Sequence, residues 1–324
     1  MTRAAASTQP LGRLVKFDLQ NCVPEKVIMC IDCDEEAVTR RSFLTGATTA
    51  IAGAAFALKA AGQQSAQKAL NDPNINLDEV GFKSGTNTIK GFLARPKKVG
   101  RYRMVLIAHG NPGVPEDIKF TAAELAKAGY VSLVYDWGSR EPQPTDPRER
   151  DKWVARITSY TFVTLQMQDL QAGINYLREQ SFTKRERVGV VGFCGGGRLA
   201  FLFSTQSADV KALISFYGPV VYHINNPKAD PVPNVLEIVN RIKVPVQGHY
   251  GLLDKVALAE DAKLLEKKMR EQKTPVEMYY YEGAGHSFCN FLRPQGSDPG
   301  FDYNPEAAAL AHSRMVDFLK RQLS

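Results

Sequence analysis

The sequence predicts a single α/β domain, a mostly parallel sheet with helices on both faces, behind a leader of different composition. Three observations predict it. Short, continuously apolar runs recur along the chain, segments of helical periodicity separate them, and glycine-containing turns follow several of them. Alternation of this kind is what parallel strands joined by crossover helices require. With 324 residues, 44% of them apolar and 23% charged, the chain has enough material for one large core.

Glu79 to Lys83 and Thr88 to Ala94, separated by Ser84-Gly85-Thr86-Asn87, form an opening hairpin. Met104 to Ala108 is apolar throughout, as a strand covered on both faces must be. Val131 to Tyr135, Val188 to Val191, Ala212 to Phe216, Val244 to Gln247 and Val276 to Tyr281 follow in the same style. The clearest helix between them brings Phe162, Leu165, Leu170, Ile174 and Leu177 near one face. The domain spans residues 67–324, without internal repeats or low-complexity tracts.

Residues 1–66 read as a leader. Thr39-Arg40-Arg41-Ser42-Phe43-Leu44 opens a weakly apolar, Ala/Gly/Thr-rich run, so that residues 39–58 have the layout of a twin-arginine export signal. Ala55-Phe56-Ala57 supplies a small-x-small cleavage site, and a mature chain then begins between residues 58 and 67. The expected partner is the twin-arginine export machinery and the destination periplasmic or extracellular. The run falls short of the ~20 predominantly apolar residues of a spanning helix, so stable membrane insertion is not expected. An ordinary amphipathic or loosely ordered helix is the competing reading, and Met29 is an alternative start. The leader also holds Cys22, Cys30 and Cys33; the Cys30-Ile31-Asp32-Cys33 motif lacks the βαβ context or second ligand pair of a redox or zinc site.

A net charge of +7 spread over scattered lysines and arginines does not indicate a nucleic-acid groove. Beyond the leader the cysteines are Cys194 and Cys289, too few for a disulfide framework.

Gly192-Phe193-Cys194-Gly195-Gly196-Gly197 stands directly after one apolar strand and before the helical stretch Arg198 to Ser204. A sharp strand-to-helix turn that exposes a nucleophile has this pattern, here with cysteine at its tip. Its neighbours must lack bulky Cβ groups, and the helix N-terminus favours a thiolate. A phosphate-binding glycine turn is the competitor, but the Lys-Ser/Thr ending is missing. Asp254 and His286 follow in the order nucleophile, acid, histidine, each just past the carboxyl end of a strand, where open α/β sheets place their sites.

Together with Phe216-Tyr217-Gly218, Gly251-Leu252-Leu253-Asp254 and Ala284-Gly285-His286-Ser287-Phe288, this turn resembles the dienelactone hydrolase (carboxymethylenebutenolidase) family over roughly residues 78–323. Tyr303-Asn304-Pro305-Glu306-Ala307-Ala308 resembles its exported members. The resemblance implies an α/β-hydrolase fold, a Cys194-His286-Asp254 triad, no metal or other cofactor, and attack on an enol-lactone or related small-molecule ester. It also implies an oxyanion hole from the backbone N–H groups of Gly195 and Asn111, and substrate contacts at Arg140 and Tyr217. For Arg140 a surface ion pair is the equal alternative. This sequence departs from the family pattern twice: Gly110 stands where a glutamate commonly restrains the cysteine, and Asn290 stands where several members carry an arginine for the substrate carboxylate.

The implied chemistry is acyl transfer, in which the Cys194 thiolate attacks, two N–H groups hold the oxyanion, and His286 protonates the leaving group and then activates water. Asp254 fixes the imidazole tautomer. Thiolate attack favours activated esters and lactones. Two other functions fit the sequence: a non-catalytic exported binding protein, suggested by the missing glutamate, and a thiol redox protein using Cys194 and Cys289. Without the glutamate, Cys194 is expected to rest as a reactive thiolate, and Cys289 is expected either near the same pocket or buried and inert.

Overall fold

The computed structural model describes residues 64–65, 67–110, 113–222, 232–293 and 298–324. The proposed leader core and Asn111 lie outside these residues. Among the described residues the strands are β1 (Ile75–Ser84), β2 (Asn87–Pro96), β3 (Tyr102–Ala108), β4 (Tyr130–Asp136), β5 (Thr183–Phe193), β6 (Val210–Phe216), β7 (Val246–Gly251) and β8 (Val276–Tyr281). They form one sheet in the order β1-β2-β4-β3-β5-β6-β7-β8. Pairing is antiparallel for β1 with β2 and β2 with β4, and parallel from β4 through β8.

The main helices are α1 (Glu116–Lys127), α2 (Arg150–Ile157), α3 (Tyr160–Glu179), α4 (Gly195–Ser204), α5 (Val235–Ile238), α6 (Ala259–Glu271) and α7 (Pro305–Gln322). They cover both faces. Consecutive residues of a strand point to opposite sides. A Cβ on Gly173 of α3 would meet the Leu106 side chain, whereas one on Gly189 of β5 would meet Val105 and Leu319, the latter from α7. Thus α3 and α7 lie on opposite faces. Met104 to Ala108 are all fully buried between them, which is why β3 carries no polar alternation.

Several elements extend beyond the patterned residues. β5 begins at Thr183, five residues before Val188, because its first part is the polar Thr183-Lys184-Arg185-Glu186-Arg187 segment. β7 starts two residues later than Val244 and runs on through His249 and Tyr250, both fully buried. On α3 the inward face includes Val163, Met167 and Asp169, while Leu165 is only half buried. Among the described residues no helix is long and apolar enough to cross a membrane.

After β3 the chain crosses to β4 on one side, while β5 lies against β3 on the other. This is the switch point where crossovers leave a crevice at the carboxyl ends of the strands. Gly110 follows β3 there, and Cys194 follows β5.

Candidate active site

Cys194 alone makes the turn from β5 to α4, at φ 53° and ψ −125°. A non-glycine residue held in such a region costs of order 1–3 kcal/mol and persists only where its surroundings fix it. Here the Cys194 N–H donates to the Phe216 carbonyl at 3.0 Å, and the Cys194 carbonyl accepts from the Gly197 N–H at 2.9 Å. Close approach of the backbones completes the socket. A Cβ on Gly196 would overlap the Ala108 and His109 main chain, and one on Gly197 would stand 2.8 Å from Gly218 Cα.

His286 follows β8, and its Nε2 lies 3.0 Å from Cys194 Sγ. Its Nδ1 lies 2.9 Å from Asp254 Oδ2, so the ring donates through Nδ1–H and turns Nε2 toward the sulfur. Asp254 is itself fixed: Oδ1 accepts from the N–H groups of Val256 at 2.7 Å and Ala257 at 2.8 Å. The His286 ring is fully buried, and the residue's backbone N–H donates to the Gly300 carbonyl. Such an arrangement can pass a proton from thiol to imidazole while a carboxylate stabilises the imidazolium.

Gly195 is the first residue of α4, so its N–H has no partner one turn earlier in the helix and faces outward with the positive end of the dipole. A Cβ built on Gly110 would sit 3.1 Å from Cys194 Sγ and 3.2 Å from the Gly195 nitrogen. Glycine therefore leaves the space between nucleophile and N–H donor open. Residues flanking Asn111 are tethered: Trp137 Nε1–H donates to the His109 carbonyl at 3.2 Å, and the Gly113 N–H donates to Asp136 Oδ1 at 2.7 Å.

Against Gly110 and Gly195, which both lie close to Cys194, is a cavity of about 80 Å³ whose lining also includes Trp137, Gln166, Arg198 and Tyr222 but not Cys194 itself. Arg198 and Tyr222 were not singled out by the sequence patterns. The signal for Arg198 was its spacing, four residues after Cys194 and so one helical turn along α4. Burial, with Cys194 nearby, pushes the Tyr222 hydroxyl up to about 12.

The structure does not bring Arg140 to this cavity. Its Nε and Nη2 each donate to Asp169 at 2.6 Å, with side-chain exposures of 9% and 0%, so the ion pair is buried rather than superficial. Tyr217 is not among the cavity's lining residues either. At φ 38° it donates its N–H to the His249 carbonyl at 2.7 Å and sets its ring edge-on to His286, 5.2 Å between centroids. Its position suits orienting the histidine more than touching substrate. Asn290 turns into its own loop, accepting from the Leu292 N–H at 2.9 Å.

A buried network lies behind Tyr217. His249 donates through Nε2–H to Gln247 Oε1 at 3.0 Å and accepts the Tyr281 hydroxyl at Nδ1, 2.8 Å away, while Arg314 donates to that same hydroxyl oxygen. Burial pulls His249 well below the usual imidazole range.

Cys289 is buried, its thiol pushed up by burial, and it lines a separate cavity between α1 and α7 with Phe120 and His312. Cys194 is not part of that lining, and among the described residues neither thiol is in a disulfide. Among the described residues no group of three or more His, Cys, Asp or Glu side chains is placed to hold a metal ion.

Residues 89–323 match the model of the dienelactone hydrolase family. The chain is 29% identical over 251 residues to a Bradyrhizobium sp. protein named "Probable 2-oxo-3-(5-oxofuran-2-ylidene)propanoate lactonase", covering 77% of this chain and 96% of that one. It is 28% identical over 241 residues to a "Putative carboxymethylenebutenolidase" of Synechocystis sp., covering 72% and 92%. Among solved structures, dienelactone hydrolase from Anabaena variabilis superposes with a TM-score of 0.55 at 17% identity, covering 77% of this chain and 99% of that one. A dienelactone hydrolase-like promiscuous phosphotriesterase from metagenomic libraries superposes with a TM-score of 0.64 at 21% identity, covering 77% and 99%.

Proposed function

Since the chain belongs to the dienelactone hydrolase family and is a hydrolase, we propose that it cleaves an activated carboxylic ester or lactone through Cys194, His286 and Asp254. The observation that carries this reading is the unbroken hydrogen-bonded series from Asp254 through His286 to Cys194 Sγ, at 2.9 and 3.0 Å. His286 Nε2 takes the thiol proton, and the sulfur attacks the carbonyl carbon. Negative charge gathers on the carbonyl oxygen beside the Gly195 N–H, with the Asn111 N–H as the proposed second donor. When the tetrahedral adduct collapses, the carbon–oxygen bond breaks and His286 returns the proton to the leaving oxygen. Water, deprotonated by His286, then releases the acid from the thioester. An enolate or phenolate departs from such an adduct more readily than an alkoxide, and the lactonase and carboxymethylenebutenolidase names of the relatives agree with that substrate class.

The binding-protein alternative rested on Gly110. That glycine opens room beside the sulfur and leaves the hydrogen-bonded series intact, so it favours turnover. The redox alternative needs Cys289 within reach, and the buried position of Cys289 at another cavity argues against it. We propose in addition that residues 39–58 direct export by the twin-arginine route.

The test is hydrolysis of 4-nitrophenyl acetate, with mass spectrometry of the acid-quenched protein. Activity in the parent, an acetyl group on Cys194, and loss of both in Cys194→Ala are expected. Undiminished hydrolysis by Cys194→Ala would end the proposal.

A further inference from the structure

The main chain that faces Cys194 from the end of β3 is held from the end of β4. Parallel pairing of these two strands stops at Ile107 opposite Val134. Beyond that pair the chains are joined through side chains instead of a ladder. The His109 ring donates through Nε2–H to the Tyr135 carbonyl at 2.9 Å, Trp137 Nε1–H donates to the His109 carbonyl at 3.2 Å, and the Gly113 N–H donates to Asp136 Oδ1 at 2.7 Å. The holding groups belong to consecutive residues, Tyr135, Asp136 and Trp137. Each is fixed in turn. Trp137 is 2% exposed, stacks on Trp153 of α2 with 6.0 Å between centroids, and meets Phe162 of α3 edge-on at 5.9 Å. Asp136 Oδ1 also accepts from the Gly138 N–H at 2.8 Å. A buried indole needs an acceptor for its N–H, and the one taken here is the carbonyl just before Gly110.

The same main chain meets α4 on the side of the nucleophile. A Cβ on Gly196 would stand 2.4 Å from the His109 nitrogen, so these backbones are as close as glycine allows. One on Gly110 would stand 3.1 Å from Cys194 Sγ and 3.2 Å from the Gly195 nitrogen. Contact with α4 limits how near the segment can come to Cys194. Hydrogen bonds at His109 and Gly113 fix where it stays. A negative charge forming on a carbonyl oxygen gains most from donors already in place, because rearrangement at that moment spends part of the gain.

We infer that Trp137 and Asp136 are positioning residues for the tetrahedral adduct, holding the His109–Gly110 main chain at the spacing from Cys194 and the Gly195 N–H that lets the oxyanion form against that donor. The inference rests on the esterase reading above. Both residues act through the main chain they hold. Loosening it weakens the adduct and leaves the reactivity of the sulfur itself unchanged.

Trp137→Phe keeps a stacked ring and loses the N–H donor. Asp136→Ala loses the acceptor for Gly113, and Asp136→Asn keeps an oxygen in its place. Two probes that react with the same sulfur separate adduct stability from nucleophilicity. With 1,1,1-trifluoroacetone a carbon–sulfur bond forms reversibly as the carbonyl π pair moves to oxygen, and the thiol proton passes to His286. With 2-iodoethanol the sulfur displaces iodide at a saturated carbon and no oxyanion arises. The dissociation constant of the ketone adduct, measured by fluorine NMR on the full chain, is expected to rise about tenfold in Trp137→Phe and in Asp136→Ala, a part of the roughly 10²–10³ that loss of a whole donor costs. Alkylation by 2-iodoethanol, followed by mass spectrometry of the Cys194 peptide, is expected to keep its parent rate in both, and Asp136→Asn to match the parent with either probe. An unchanged adduct constant would overturn the inference, as would equal losses with the two probes. Circular dichroism reports folding, and if Trp137→Phe does not fold the two Asp136 variants decide. In parallel, kcat/KM for 4-nitrophenyl acetate is expected to fall about tenfold in Trp137→Phe and Asp136→Ala. Undiminished kcat/KM in both would also overturn the inference. If the parent hydrolyses no ester the proposed function fails, while the ketone adduct still reads the spacing around the oxyanion.

Discussion

Replacing Arg140 with leucine separates a buried ion pair from a substrate contact. The guanidinium makes two 2.6 Å hydrogen bonds to Asp169, whose side chain has 0% exposure. Arg140→Leu therefore strands a carboxylate with no water to solvate it. Breaking one partner of such a pair costs about 3–5 kcal/mol. At about 2–4 °C per kcal/mol for a domain of this size, Tm should fall by about 6–20 °C. Adding Asp169→Leu should recover most of the loss, because two apolar side chains leave no unpaired charge. Differential scanning calorimetry of the parent, the single and the double variants checks the sequence of values. Esterase activity measured well below every transition should be little changed. An unchanged Tm with lost activity would refute the structural role and return Arg140 to the substrate.

Asp254→Asn should lower kcat by about 10⁴-fold, through the wrong imidazole tautomer, and Cys194→Ala/His286→Ala should be scarcely worse than either single change; additive losses in steady-state kinetics would contradict a unit of three residues. Gly110→Ala should reduce kcat/KM by about 10²-fold, since the new methyl would stand 3.1 Å from Sγ and crowd the approach to the Gly195 N–H, and full activity would show that the space is not used. Burial pulls both His249 and His312 below the ordinary imidazole value. The unfolded chain therefore binds protons first, near pH about 6.5, and stability is complete above that pH and lost as pH falls toward the folded values. Thermal melts between about pH 7.5 and 5 should show this decline, made shallower by His249→Gln; a flat profile would contradict it. For export, Arg40→Lys/Arg41→Lys should leave a reporter fused to residues 1–70 in the cytoplasm, and fractionation showing normal export would exclude the twin-arginine route.

The parallel core was legible because β3 to β6 are covered on both faces and so repeat short apolar runs at intervals along the chain. Cys194, His286 and Asp254 were legible because glycine-rich or strand-end positions locate them along the chain before any coordinates exist. Long-range polar pairing was not. Asp169 sits on the inner face of α3, where an apolar pattern predicts no acid, and only its distance to Arg140 explains it. Likewise, the spacing of Arg198 from Cys194 puts it one turn along α4 but does not reveal the cavity that its side chain lines with Gly110 and Tyr222. The polar opening of β5 shows the reverse case, backbone pairing carrying a strand through residues whose side chains give no strand signal.

The turn that carries Cys194 is fixed by main-chain hydrogen bonds and by glycine-to-backbone contacts on every side. None of those anchors touches the sulfur. The scaffold is therefore indifferent to the element at the tip, and exchange of sulfur for oxygen is a change of reactivity that leaves the mounting untouched. Thiol and hydroxyl chemistries become neighbours in sequence space, one substitution apart. What keeps them distinct is the histidine 3.0 Å away, whose basicity must match the acid it deprotonates.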